Sequence, residues 1–170
     1  LPVTDNPNSK TRFFPFPVST TLIIPNSILI PQIRQLIKEG RTTTFIVRGF
    51  SMRPFLEDKR DKVILAPHQQ LKKGDVVLAE IQPQMYVLHR IIHMEADQVT
   101  LQGDGNIIGT EICRLHNVIG VAIGFYRKSR PRPDMVTGWK WRTYSFIWMK
   151  LRPLRRILLA VYRRIAIRAN

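Results

Sequence analysis

The sequence predicts a mainly β domain with a short helix ahead of it and a basic, amphipathic helical tail behind it. Two observations carry this prediction. Short runs rich in β-branched and aromatic residues recur between residues 42 and 126, separated by Gly, Pro, Asp and Asn turn signals. Strands this short and this closely spaced argue for an antiparallel or mixed sheet rather than βαβ units. Beyond residue 138 the apolar spacing becomes helical. At 170 residues the chain has room for one domain plus an appendage, not for two full domains.

Taken in order, residues 1–25 read as a loosely ordered lead-in, rich in Pro, Ser, Thr and Asn near its start. The stretch between Arg12 and Arg34 carries no charge and has the length of a membrane span. Pro15, Pro17, Pro25 and Pro31 interrupt it, so no spanning helix is expected there. After Pro31, residues Gln32 to Glu39 fit a short helix ended by Gly40. Strands are expected over Thr42–Val47, Lys62–Ala66, Asp75–Ile81, Tyr86–Met94, Gln98–Gln102 and Val118–Tyr126. These make a domain over 26–126. Residues 127–138, Pro- and Arg-rich, read as a linker, and 139–170 as the tail. Within the tail, Pro153 breaks a helix pair. Leu154, Ile157, Leu158, Val161 and Ile165 form an apolar stripe, with Arg155, Arg156, Arg163 and Arg164 largely on the other side.

Charge and cysteine content narrow the function. With 27 Lys+Arg against 12 Asp+Glu the net charge is +15, which points to an anionic partner. The excess is uneven: no acid follows Asp134, and the segment from Met135 to Asn170 is basic throughout. Its arginines, with Trp139, Trp141 and Trp148, suggest peripheral binding to an anionic membrane, the cytoplasmic face being favoured and nucleic acid the lesser alternative. Packing of the same stripe on the domain itself is the structural alternative. The single cysteine, Cys113, excludes an internal disulfide and a multi-cysteine zinc site. It reads as a small apolar residue in a loop. His68 and His116 read as surface residues, and no ligand stands at metal spacing near His89 and His93. No metal or organic cofactor is implied.

The segment from Val47 to Leu56 runs a strand into Gly49, then Ser51, then Pro54. Such a turn can present a serine hydroxyl, which is a poor nucleophile until a base takes its proton. The candidate base is His89, flanked by apolar neighbours; His93 is its reserve, expected on the same strand face. Asp104, in Gly103-Asp104-Gly105-Asn106, could orient the imidazole or brace the site. By themselves these residues also fit a structural turn serine and a core histidine.

In combination, Ser51-Met52-Arg53-Pro54, Gly74-Asp75-Val76-Val77, His89-Arg90-Ile91-Ile92 and Gly103-Asp104-Gly105-Asn106 follow the order of the motif boxes of type I signal peptidases. The chain most resembles their endoplasmic-reticulum-like branch, over about residues 43–124. The self-cleaving repressors of the SOS response share the fold and the serine box but carry a lysine where this chain has His89. The resemblance implies Ser51 as nucleophile, His89 as general base and Asp104 as the acid of the last box. It implies that Met52 and Pro54 shape the turn and the substrate cleft, while Asp75 caps its strand. The second acidic residue found after that box in the family has Glu111 as its nearest counterpart here. No membrane-spanning helix and no helix-turn-helix ahead of residue 40 are evident. The expected function is serine endopeptidase action on a precursor or leader peptide. The rival is an inactive peptidase-fold binding module whose tail binds lipid or nucleic acid.

Overall fold

A computed structural model describes residues 24–168 apart from Gln69. Nearly all of the expected lead-in therefore lies outside the described residues. The chain enters through helix α1 (Asn26–Lys38) and then forms β1 (Thr43–Ile46), β2 (Lys62–Ala66), β3 (Val76–Gln82), β4 (Met85–Glu95), β5 (Gln98–Gln102), β6 (Glu111–Arg114), β7 (Val118–Tyr126) and β8 (Asp134–Met135). It ends in α2 (Trp139–Lys150) and α3 (Arg155–Arg168), joined by a short 3₁₀ turn at Arg152–Leu154. The strands make one eight-stranded antiparallel sheet, ordered β1-β2-β7-β3-β4-β5-β6, with β8 also on β7.

Helix α1 starts earlier than Pro31 suggests. The amides of Ile28 and Leu29 donate to the Pro25 carbonyl, at 3.0 and 2.9 Å, and begin the helix there. Pro31 then lies inside it, at a cost of about 3 kcal/mol. The opposing term is larger. Ile30, Ile33 and Ile37, spaced three and four apart, are buried against Leu65, Leu78 and Ile119. Each such side chain contributes about 1.5–3 kcal/mol.

Two strands go beyond the sequence-based expectation. In β6 the burial is inverted relative to hydropathy: Ile112 is exposed, while Cys113 is buried, on a strand rather than in a loop. The expected linker contains β8, whose Asp134 and Met135 pair with Phe125 and Gly124. Arg127 closes that segment through Asp134 at 3.0 Å. Nor is the tail detached. Trp141 packs on Phe55 and Phe125, each with ring centroids 4.7 Å away, and Tyr144 stacks on Phe55 at 4.6 Å.

Strands β3 to β6 curl until β6 reaches back to β3, and Val77, Ile91, Val99, Leu101 and Cys113 fill the concave side. On the other side of β4, Arg90 lies under α2, and Leu88 and Tyr86 pack toward α1. Which side a residue takes decides its role at the site.

Candidate active site

Ser51 stands in a turn held at both ends. The Val47 amide donates to the Asp61 carbonyl at 2.8 Å, and the Lys59 amide to the Val47 carbonyl at 2.9 Å. Gly49, at φ +92, makes the reversal that a side chain would strain, and its amide donates to Asp58 Oδ1 at 2.7 Å. Just after Ser51, Met52, Phe55 and Leu56 sink into the core, leaving the serine half-buried. Met52, 2% exposed, therefore anchors the turn and does not line a substrate cleft, contrary to expectation. Pro54 is half-buried and follows a cis peptide bond.

The Gly103–Asn106 turn presses on this serine. The Gly105 amide donates to the Ser51 carbonyl at 2.7 Å. A Cβ on Gly103 would lie 2.4 Å from that carbonyl oxygen and 3.0 Å from Ser51 Cβ, so only glycine fits. Direction follows from register. Arg90 pairs with Gln102, so Gly103, one step on, stands opposite His89. Antiparallel partners share a sheet face. The side of Gly103 that meets Ser51 is thus the side onto which His89 projects.

That face also carries Glu111. Ile91 pairs with Leu101, and Leu101 with Glu111, so these residues line one side together with His89. His89 Nδ1 lies 2.9 Å from Glu111 Oε2, with the imidazole buried and the carboxylate partly exposed. A carboxylate there favours the tautomer with hydrogen on Nδ1 and leaves the Nε2 lone pair free to accept a proton. Among the described residues no direct hydrogen bond joins Ser51 Oγ to His89; such bonds often tighten only when substrate binds.

Asp104 is elsewhere, which corrects the expectation that it orients the imidazole. Arg90 points to the opposite face from His89, and Asp104 is on that side. Arg90 Nε and Nη2 donate to both Asp104 oxygens, at 2.8 and 2.7 Å, with both side chains fully buried. Arg90 Nη1 donates to the Gly74 carbonyl at 2.8 Å and to Ser145 at 2.6 Å, and the Tyr144 hydroxyl donates to Asp104 at 3.2 Å. Burial pulls the Arg90 pKa down, but the Asp104 charge outweighs it and holds it above the ordinary value. Burial, with the negative charge of Asp104 added, pushes the Tyr144 phenol far up. Asp104 therefore braces the turn that carries Gly103.

His93 is corrected too. A register shift between Ile91 and His93 sets His93 opposite Thr100 and so turns it away from the His89 face. Its side chain is 64% exposed beside Glu95. Asp75 accepts from the Lys72 amide at 3.0 Å, closing the turn before β3. His68 is half-buried, and His116 lies on the 3₁₀ turn after β6. Among the described residues no group of three His, Cys, Asp or Glu side chains could hold a metal ion.

The tail residues divide. Trp141 and Trp148 are each 7% exposed, so they are core residues and not membrane contacts. Arg155 is buried as well, its Nη1 donating to Gln102 Oε1 at 3.2 Å over the Trp148 ring. Trp139, Arg156, Arg163 and Arg164 remain exposed. Arg90 and Gly103 stand in the motif boxes, and the resemblance gives them no role. Their signals are an arginine in an apolar strand, which demands a buried acid, and a glycine whose side-chain position is filled.

No curated protein matches the sequence at a significant level. The model of the Peptidase S24-like family matches residues 15–123. That span holds Ser51, His89, Asp104 and Glu111, begins ahead of α1 and ends within β7. The antiparallel sheet agrees with the signal-peptidase and SOS-repressor type of fold, the match exceeds half of the sequence, and the chain belongs to the Peptidase S24-like family.

Proposed function

We propose that the protein is a serine endopeptidase in which Ser51 is the nucleophile, His89 the general base and Glu111 the residue that orients the base. Ser51 Oγ attacks the scissile carbonyl as its proton passes to His89 Nε2. The imidazolium then gives that proton to the leaving amine, and water repeats the sequence on the acyl-enzyme. The Ser51 amide serves as an oxyanion donor. The glutamate fixes the imidazole tautomer and stabilises its charge without taking the proton. Substrate enters extended: among the described residues β1 is an edge strand that leads into the Ser51 turn, and its outer edge can accept a further strand. A precursor or leader peptide suits that mode.

One observation carries this reading: Ser51 is packed on Gly103 on the face that bears His89 and Glu111. A fluorophosphonate reagent tests it, with mass spectrometry of the adduct. Labelling is expected at Ser51, absent in Ser51→Ala and strongly slowed in His89→Ala. Labelling of another serine, or undiminished labelling in His89→Ala, overturns it.

A further inference from the structure

Helix α3 has two apolar sides. One is docked: Leu159 is 2% exposed, Arg155 reaches Gln102, and the Tyr162 hydroxyl donates to Glu57 at 3.1 Å, just after the Ser51 turn. Leu158 leans toward that side, which corrects its expected place in the stripe. The other side is open. Leu154, Ile157, Val161 and Ile165 follow one another at intervals of three and four residues and are 48%, 63%, 51% and 63% exposed. The helix is already seated, so this stripe is not core waiting for a partner within the domain.

We propose that α3 rests on an anionic lipid bilayer, its open stripe in the acyl boundary and Arg164, which flanks the stripe, on the headgroup phosphates. Arg152, Arg156, Arg163 and Arg164 are exposed and have no ion-pair partner among the described residues. By helical spacing Arg164 flanks the stripe, while Arg156 and Arg163 face the turn at Gly105 to Ile108. No acid lies between Met135 and Asn170 to oppose a negative surface. Helix α2 repeats the arrangement: Trp139 and Phe146, seven residues apart, are 73% and 65% exposed, with Lys150 Nζ 5.9 Å from the Phe146 ring. No helix among the described residues is long and apolar enough to cross a membrane, so the contact is interfacial. A nucleic acid would take the arginines but has no use for four aliphatic side chains. A second copy joined stripe to stripe would bring arginine against arginine. The proposal does not depend on the chemistry of Ser51.

The test is sedimentation of the full chain with vesicles of phosphatidylcholine and phosphatidylglycerol in equal parts, against phosphatidylcholine alone. Binding is expected to the anionic vesicles and to weaken with added salt. Ile157→Ser with Val161→Ser should lower partitioning by about tenfold or more. Arg152→Gln with Arg164→Gln should lower it on anionic vesicles only. All four positions are exposed, so thermal unfolding should stay unchanged and confirm that each variant folds. Unchanged sedimentation of the double serine variant overturns the proposal. So does a dimer that this variant dissolves while vesicles go unbound, or binding to a DNA duplex without binding to vesicles.

Discussion

His89 and Arg90 are neighbours on β4, yet their surroundings have opposite purposes. The Arg90 guanidinium is enclosed and donates to Asp104, the Gly74 carbonyl and Ser145. His89 is held at Nδ1 alone. One side of the strand is closed and satisfied; the other carries an imidazole bonded at one nitrogen, on the face where Ser51 meets Gly103. A motif that reads His-Arg thus sends one residue to the face that carries Ser51 and the other into the frame beneath it. The alternation of a strand is enough to separate them.

Substitutions can break this contrast or make it sharper. The largest effect is expected on the His89 face. Ser51→Ala or His89→Ala should each lower the rate of peptide hydrolysis by about 10⁴-fold or more, and the pair little further, because the two act as one unit. The denaturant midpoint should barely move for Ser51→Ala, and His89→Ala should lower it modestly because its imidazole is buried. On the Arg90 face the order reverses. Arg90→Met or Asp104→Asn should each cost about 3–5 kcal/mol in urea unfolding, since either strands a buried charge or its partner. The double change Arg90→Met with Asp104→Leu should be milder than either single one. If Asp104→Asn abolished turnover while stability stayed intact, the division between the faces would be wrong.

Glu111→Gln comes next. It should lower the rate by about 100-fold, near the low end of general acid–base effects, with little change in stability because the side chain is partly exposed. The smallest effect concerns Asp61, another carboxylate of the frame. It is fully buried and accepts from the Glu57 amide at 2.8 Å, the Lys128 amide at 2.9 Å and Arg60. Burial pushes its pKa up, but Arg60 and the two amides outweigh this and hold it below the ordinary carboxylate value. The carboxylate is thus favoured by folding. Its contribution is full above the unfolded value of ~3.9 and is lost as pH falls through the lower folded one. Asp61→Asn should cost about 1–3 kcal/mol at pH 7, and the gap to the native chain should narrow in acid unfolding curves.

Much of the sheet was legible because its strands announce themselves. Lys62–Ala66, Gln98–Gln102 and Val118–Tyr126 lie where β-branched residues and turn signals put them. Glu111 was harder to read. Glu-Ile-Cys-Arg has no alternation to mark β6, and its isoleucine faces outward. Without β6 there is no route from Glu111 to His89 two strands away. Asp104 misled for a related reason: a box lists residues in order, whereas orientation depends on parity along a paired strand, and at His93 a bulge shifts the parity again. The helical spacing of the tail groups Trp141 with Tyr144 and Trp148, but spacing alone does not say which side meets the domain. Packing on Phe55 and Phe125 decides that.

The inward side of the last two helices has a practical consequence for anyone preparing this protein. A shortened version ending near residue 138, attractive because it removes an adhesive basic segment, would lose the lid of its own interior. Trp141 would no longer cover Phe55 and Phe125, Arg90 would lose Ser145, and Asp104 would lose Tyr144. Ending just before Arg155 is gentler, yet it removes the Tyr162 tether on Glu57 and the Arg155 bond to Gln102. Solubility is better sought by recolouring the outer surface, at Ile157 and Val161, than by cutting the chain.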